Sequence, residues 1–95
     1  MTLQASIDIS MYPLTEGYCQ PIIDFINRLK AQPNIKVVQN TLSTQIFGDY
    51  RTLMAALTED IETALTQQPK TVFVLKLVGG DRSQADIERC SAESL

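Results

Sequence analysis

The sequence predicts an α+β fold whose elements follow the order β-α-β-β-α-β. Three observations support this prediction: an alternating segment near the start, two segments with helical periodicity, and a nearly all-apolar segment near the end. Alternation is typical of a strand with one buried face, whereas apolar residues every three or four positions indicate a helix with one buried face. A chain of 95 residues is long enough for one core between two layers.

The first strand is predicted over Leu3–Tyr12. Its apolar face consists of Leu3, Ala5, Ile7, Ile9 and Met11. Its opposite face consists of Ser6, Asp8, Ser10 and Tyr12. A carboxylate between two hydroxyl groups is unusual on a solvent-facing strand, so this face is a candidate for holding a small polar molecule. Pro13 ends the strand because proline has no backbone N–H to donate.

A helix is predicted next, from Glu16 to Ala31. Thr15 is its expected N-cap, and Pro21 falls near the first turn, where proline is tolerated. Its apolar stripe consists of Tyr18, Ile22, Phe25, Ile26 and Leu29. Pro33 interrupts the pattern, and the helix is therefore expected to end before it.

Two strands are predicted over Ile35–Gln39 and Thr41–Phe47. Little more than Asn40 separates them, so they form either a tight hairpin or one bent ribbon, and a hairpin suits the overall order better. The facing of the second strand is ambiguous from the pattern alone. One alternative points Leu42, Thr44 and Ile46 inward, and the other points Ser43, Gln45 and Phe47 inward.

The second helix is predicted to begin after Gly48, with Asp49 as its N-cap, and to extend to about Gln67. Its stripe is the clearest helical pattern in the chain and consists of Tyr50, Leu53, Met54, Leu57, Ile61, Ala64 and Leu65. Pro69 stops the helix because proline cannot continue it.

The last strand, Thr71–Val78, is apolar on both faces apart from Lys76, so both faces are expected to be covered. Phe73, Leu75 and Leu77 are predicted to face the helices. Val72, Val74, Lys76 and Val78 are predicted to face away from them. The complete order is that of the ferredoxin-like plait, in which two helices cover one face of a four-stranded antiparallel sheet.

The domain is expected to span residues 3–81 and to be followed by a tail over residues 82–95. In this tail Ser83 and Asp86 are expected to cap a short helix that continues through Cys90. Cys19 and Cys90 are the only cysteines. Because the chain has no secretory signal pattern, we interpret them as unrelated reduced thiols.

Composition excludes several classes of function. The formal net charge is −3 without a Lys/Arg cluster, which argues against a nucleic-acid partner. No apolar run approaches the roughly 20 residues needed to span a bilayer, so no membrane partner and a cytoplasmic location are expected. The sequence contains no histidine, which excludes imidazole catalysis and the commonest zinc sites. No cofactor or metal is expected.

The sheet face that the helices leave open combines valines with a polar centre. Such a mixed face on a small domain usually contacts another subunit, so we expect self-association as a homodimer or homotetramer. A pocket between two such faces, or at the sheet edge, would be apolar with a few convergent polar groups, as small-molecule sites are.

Three segments, Ile9–Leu14, Leu42–Asp49 and Val74–Leu77, resemble the YkoF-like thiamine/hydroxymethylpyrimidine-binding family and its single-domain thiamine-binding relatives. The shared motifs are a hydroxyl residue before Tyr-Pro, and Thr-x-x-x-Gly-Asp. The correspondence in layout covers Leu3–Asp81. It implies a ferredoxin-like fold, binding of thiamine or its pyrimidine precursor without chemistry, and assembly through sheet contacts. Because some members contain two such domains in tandem, a single-domain chain would obtain the second domain by self-association.

The resemblance implies six candidate ligand contacts: Asp8, Ser10, Tyr12, Thr44, Gln45 and Phe47. Asp8 would accept a hydrogen bond from the exocyclic amine of an aminopyrimidine, and Ser10 or Thr44 would donate to a ring nitrogen. The thiazolium charge of thiamine would be favoured by Asp8 or by the aromatic face of Tyr12 or Phe47.

Structural explanations compete with these roles. Asp8 is either a ligand contact or a residue that is solvated or paired with Lys76 on a neighbouring strand. Tyr12 either contacts ligand or only covers the end of its strand. Gly48 and Asp49 are best explained as a turn and a helix cap.

The leading hypothesis is a non-catalytic small-molecule binding protein for thiamine or a hydroxymethylpyrimidine-like compound. The alternative is a structural or regulatory oligomer whose open sheet face only mediates protein–protein contacts. A small enzyme that uses Asp8 or Tyr12 as acid or base is a third and weaker hypothesis, because the sequence suggests neither an activated nucleophile nor a metal-ligand cluster.

Overall fold

The computed structural model describes residues 2–84 and contains the predicted sequence of elements. The elements are β1 (Gln4–Pro13), α1 (Cys19–Lys30), β2 (Lys36–Gln39), β3 (Thr44–Asp49), α2 (Tyr50–Gln67) and β4 (Thr71–Gly79). The four strands form one antiparallel sheet in the order β2-β3-β1-β4. The predicted α+β ferredoxin-like arrangement is confirmed.

The core lies between the sheet and the two helices. The alternating pattern of β1 buries its odd-numbered apolar residues Ala5, Ile7, Ile9 and Met11. The helices contribute Phe25, Ile26 and Leu29 from α1 and Leu53, Ala56, Leu57 and Ala64 from α2. Because this apolar set lies on one side of β1, the polar residues of the same strand point to the open face of the sheet.

α1 begins at Cys19 rather than at Glu16, and the predicted N-cap Thr15 is wrong. Tyr18 holds the cap position and makes no side-chain capping hydrogen bond. The backbone N–H of Leu14 donates to the carbonyl of Lys70 at 2.8 Å, so the ladder between β1 and β4 continues past Pro13. Residues 15–17 are then needed to turn the chain toward the helix.

The start of α2 agrees with the sequence pattern. The carboxylate of Asp49 accepts hydrogen bonds from the backbone N–H and the hydroxyl of Thr52, both at 3.1 Å. An added Cβ at Gly48 would lie 2.9 Å from the backbone carbonyl oxygen of Asn34. Gly48 therefore allows two backbone segments to approach closely at the turn, and Asp49 is the N-cap, as expected from the sequence.

β2 and β3 form a hairpin, which confirms the preferred alternative. β3 begins at Thr44 rather than Thr41, because residues 40–43 make the connection and the Asn40 N–H donates to the Ser43 carbonyl at 2.9 Å. Ile46 lies opposite Ile7, so Thr44 and Ile46 face the helices while Gln45 and Phe47 face the open side.

β4 lies at the edge of the sheet, and the expectation that both of its faces are covered is wrong for the single chain. Phe73 packs against the core, but Leu75 and Leu77, which were expected to be covered by the helices, remain 43% and 54% exposed. Val72 and Val74 on the other face are 46% and 56% exposed. The helices pack mainly over the other three strands. Phe25 of α1 reaches Phe73 of β4, but Leu75 and Leu77 remain outside the helix layer.

Within residues 2–84, neither helix has the length and apolar character required to cross a membrane. The predicted short helix from Ser83 through Cys90 falls largely outside the described residues, as does any pairing of Cys90. Cys19 is exposed at the start of α1.

Candidate functional site

The polar face of β1 forms the centre of the open sheet face because β1 lies between β3 and β4. Asp8 is opposite Gln45 on β3 and opposite Lys76 on β4. Ser6 is opposite Phe47 on β3. Antiparallel neighbours on one face lie about 4.5–5.5 Å apart at their Cβ atoms, so these side chains form one continuous surface.

An open cavity of about 340 Å³ lies on this surface. It is lined by Ser6, Ile7, Asp8, Ser43, Gln45, Phe47, Lys76, Val78 and Arg82. We call it the Asp8 pocket. Its volume is near the lower limit of about 300–1,000 Å³ that is usual for small-molecule sites, so it suits a ligand about the size of a single substituted ring.

Asp8 is held by the loop between β2 and β3. The Ser43 hydroxyl donates to Asp8 Oδ1 at 2.6 Å, whereas no donor among residues 2–84 reaches Asp8 Oδ2. Asp8 and Lys76 are opposite each other, but their charged groups do not form an ion pair. Among residues 2–84, the ion pair joins Arg28 to Asp60. The carboxylate is thus oriented and retains one oxygen for another donor.

The segment after β4 closes one side of the Asp8 pocket. The Ser6 hydroxyl donates to the Gly80 carbonyl and accepts from the Arg82 N–H, both at 2.8 Å. Asp81 accepts from the hydroxyl and the N–H of Ser83 at 2.6 and 2.9 Å, and these bonds hold the pKa of the Asp81 carboxyl below its usual range. The start of the expected tail is therefore an ordered turn that brings Arg82 to the pocket.

The six residues predicted from the sequence divide into two groups. Asp8, Gln45 and Phe47 line the Asp8 pocket. Ser10, Tyr12 and Thr44 line a separate cavity of about 180 Å³ beside the β2–β3 connection and the first half of α1. Thr44 faces the helices and is buried, so it does not share the Asp8 surface.

Four polar residues of the pocket, Ser6, Ser43, Lys76 and Arg82, were not among the predicted ligand contacts. Ser6 and Lys76 were predicted only to lie on the open face. Ser43 precedes β3 and reaches Asp8 only because the hairpin turns over residues 40–43. Arg82 approaches the pocket because Ser6 holds its backbone. A signal for Arg82 existed in Gly79 and Gly80, which permit the chain to turn sharply after β4, although these residues do not indicate the direction of the turn.

The electrostatic character of the Asp8 pocket is mildly positive. Lys76 and Arg82 provide two cationic groups against the single carboxylate of Asp8. Phe47 adds an aromatic side chain that is only 8% exposed. Among residues 2–84, no three His, Cys, Asp or Glu side chains are grouped to hold a metal ion.

No family profile and no curated protein matches the sequence, whereas several solved structures are similar to it. A Streptococcus pneumoniae protein is 25% identical with a TM-score of 0.77, and the alignment covers 90% of this chain and 97% of that one. A hypothetical protein of Methanocaldococcus jannaschii is 24% identical with a TM-score of 0.71, covering 96% of both chains.

A third similar structure carries a functional name. It is a Thermotoga maritima protein assigned provisionally to thiamine biosynthesis or salvage, 15% identical with a TM-score of 0.73, and the alignment covers 97% of this chain and 99% of that one. Similarity at this level of identity shows a shared fold. The chain therefore has the fold of a group of small proteins that includes one with a thiamine-related name.

Proposed function

We propose that this protein binds a hydroxymethylpyrimidine-like compound or thiamine without transforming it, and that the Asp8 pocket is the site. The observation that carries the proposal is the convergence of Asp8, Gln45 and Phe47 on one open cavity. These side chains provide an anionic acceptor, an amide and an aromatic ring. The thiamine-related name of the Thermotoga maritima protein with the same fold supports this ligand class.

An aminopyrimidine has complementary groups for this arrangement. Its exocyclic amine would donate to Asp8 Oδ2, the oxygen that Ser43 leaves free. The Gln45 amide both donates and accepts, so it would pair with a ring nitrogen or a hydroxymethyl group. The Phe47 ring would contact the pyrimidine edge or face.

The charges of the pocket favour the pyrimidine over intact thiamine. Lys76 and Arg82 would repel the permanent thiazolium charge, and Asp8 offsets only part of this repulsion. A neutral hydroxymethylpyrimidine avoids the repulsion and keeps the hydrogen bond to Asp8. We therefore expect tighter binding of hydroxymethylpyrimidine than of thiamine.

We infer binding without chemistry because the Asp8 pocket offers only a carboxylate as the base beside its hydroxyl groups. Ser43 and Asp8 resemble a nucleophile beside a base, but a carboxylate is a poor acceptor for a serine proton. The chain contains no histidine that would perform this task. Incubation with hydroxymethylpyrimidine or thiamine should leave the mass spectrum of each compound unchanged.

The alternative function is a structural or regulatory oligomer. It is favoured by the exposed Val72 and Val74 on the same open face, since contiguous apolar surface often marks a protein–protein contact. In that case Asp8 would lie within a subunit contact and would not be accessible to ligand.

Calorimetric titration with hydroxymethylpyrimidine, and separately with thiamine, distinguishes these functions. Asp8→Asn should weaken binding by about 1.5–3 kcal/mol, because it removes a charged hydrogen-bond acceptor. Asp24→Asn is the matched control, since Asp24 accepts a bond from Gln20 on the exposed side of α1. No saturable heat with either compound, or equal binding by the two variants, would contradict the proposed site.

A further inference from the structure

The charge at the Asp8 pocket is opposite in sign to that of the whole chain. The formal net charge of the chain is −3, yet Lys76 and Arg82 line this pocket against the one carboxylate of Asp8. Lys36 lies on the same face, opposite Phe47. Its neighbour Asp81 has a carboxyl pKa that is lowered first by the hydrogen bonds from Ser83 and further by the charge of Lys36. Lys36 is thus partly neutralised, and the excess positive charge belongs to the Asp8 pocket.

The two cations of the pocket are available to a ligand. Among residues 2–84, neither the Lys76 ammonium nor the Arg82 guanidinium forms an ion pair, and both residues are exposed. Two like charges that line one cavity of about 340 Å³ repel each other, and an anion between them replaces this repulsion with attraction. The pocket therefore favours a ligand with a negatively charged group.

The carboxylate and the cations lie on different sides of β1. Ser43, at the start of β3, binds Asp8 Oδ1 and orients the carboxylate from the β3 side. Lys76 is on β4, the neighbour on the other side of β1. Arg82 follows β4 and is tied through its backbone N–H to Ser6. A ligand can therefore place a donor on Asp8 and an anionic group beside Lys76 and Arg82 at the same time.

We propose that the ligand of the Asp8 pocket is an aminopyrimidine that carries a phosphate monoester, with its phosphoryl group held by Lys76 and Arg82. This inference rests on the proposed function and names the ligand class of the same site. A phosphate monoester has a charge of about −1.5 to −2 near pH 7 and three acceptor oxygens. The Arg82 guanidinium can bind two of these oxygens as a planar fork, and the Lys76 ammonium can bind the third as a compact charge.

The spacing of the groups in phosphorylated hydroxymethylpyrimidine fits this arrangement. Its amine and its phosphorylated hydroxymethyl arm are on adjacent ring carbons. Asp8 and Lys76 are likewise opposite each other on adjacent strands, which are separated by about 4.8 Å. The amine can therefore donate to Asp8 Oδ2 while the phosphoryl group reaches the β4 side of the pocket.

Side chains, and not the backbone of the turn after β4, would hold the phosphoryl group. The backbone N–H groups of Gly80, Arg82 and Ser83 each donate to another residue of the chain. They are therefore not free to bind phosphate. Substitution of the Lys76 and Arg82 side chains removes the proposed contacts and leaves these backbone bonds in place.

Calorimetric titration with hydroxymethylpyrimidine and with its monophosphate tests this inference. The wild type should bind the monophosphate at least about tenfold more tightly, because hydrogen bonds to charged groups are stronger than neutral ones. Lys76→Gln and Arg82→Gln should each lose most of this gain and keep their affinity for the unphosphorylated compound. Lys70→Gln is the matched control, because Lys70 is exposed and does not line the Asp8 pocket; it should retain the full gain.

The same titrations separate this inference from the proposed function. Equal affinity of the wild type for the two compounds, or a gain that survives in both Lys76→Gln and Arg82→Gln, would overturn the inference and leave the proposed function intact. No saturable binding of either compound would overturn both. Cytidine 5′-monophosphate has the same amine and phosphate on a larger frame, and tighter binding of this nucleotide would overturn the assignment to the single-ring compound.

Phosphorus NMR at several pH values tests the contact with the phosphoryl group. The charged side chains that line the pocket are Asp8 of β1, Lys76 of β4 and Arg82 of the turn, and β3 contributes none. The two cations outweigh Asp8, so the second pKa of the monoester, about 6 in water, should fall on binding. It should return toward the value of the free compound in a variant with both Lys76→Gln and Arg82→Gln. A pKa that is unchanged or raised by the wild type would overturn the inference.

Discussion

The Asp60 carboxylate lies between the two helices on the side of the protein remote from the open sheet face. Its side chain is 4% exposed and pairs with Arg28 of α1, while Oδ2 has no hydrogen-bond partner among the described residues. Burial raises the pKa of Asp60, and the hydrogen bond and charge of Arg28 oppose this effect without cancelling it. The fold therefore favours the protonated form of Asp60 more than the unfolded chain does.

The raised pKa of Asp60 makes the free energy of unfolding depend on pH. Between the ordinary pKa of 3.8 and the raised pKa, the folded chain binds more protons than the unfolded chain, so stability falls as pH rises. The free energy of unfolding of the wild type relative to Asp60→Asn should therefore decrease from pH 4 to pH 7. Urea denaturation at several pH values measures this difference. A difference that grows with pH would contradict the assignment.

Ser6 shows how one hydroxyl group positions a segment that is remote in the sequence. Its Oγ joins the Gly80 carbonyl and the Arg82 N–H, and the residue is 5% exposed. Ser6→Ala leaves both backbone groups without this partner and should lower the free energy of unfolding by about 1–3 kcal/mol. Ser10→Ala is the control, because the Ser10 hydroxyl makes only a 3.4 Å bond to the Leu42 carbonyl. Equal stability losses in the two variants would contradict this role of Ser6.

At the scale of elements, the junction of β3 and α2 depends on a close approach to the chain before β2. Gly48 passes the Asn34 carbonyl so closely that an added methyl group would lie 2.9 Å from it. Gly48→Ala should therefore destabilise the protein by about 1–3 kcal/mol, since backbone must move. Gly17→Ala, which meets nothing within 4 Å, should be tolerated. Chemical denaturation measures the free energy of unfolding of both variants. A Gly48→Ala variant as stable as the wild type would contradict the steric argument.

Elements whose limits depend on local chemistry were predictable from the sequence. The start of α2 follows from Gly48 and Asp49, and both residues act as the pattern indicates. The start of α1 was not predictable, because it depends on the bond between Leu14 and Lys70, which are far apart in the sequence. The facing of β3 was also open, since Thr44 and the residues that alternate with it have no decisive apolar pattern.

The candidate site was predictable only in part, because some of its residues lie on strands and others lie in connections. Asp8 lies on a strand whose alternation fixes its face, and Gln45 and Phe47 join it once the facing of β3 is known. Ser43 and Arg82 lie in connections, where side-chain direction depends on the tertiary hydrogen bonds of the folded chain. A periodic pattern contains no information about such connections.

At the scale of the whole molecule, the sheet presents two surfaces with different chemistry. The open face contains the Asp8 pocket with its mixed charges, whereas the outer edge of β4 and the adjoining groove are mainly apolar. Leu77 points to the helix side and Asp8 to the open side, so the two surfaces lie on opposite faces of the sheet.

An NMR titration of the ¹⁵N-labelled protein with hydroxymethylpyrimidine reports both binding and its location. Saturable shifts are expected, centred on the backbone amides of Asp8, Ser43, Gln45, Lys76 and Arg82. Amides that line the groove between α2 and β4 should remain unchanged. Absence of shifts, or shifts confined to that groove, would contradict the claim that the Asp8 pocket is a binding site for this class of ligand.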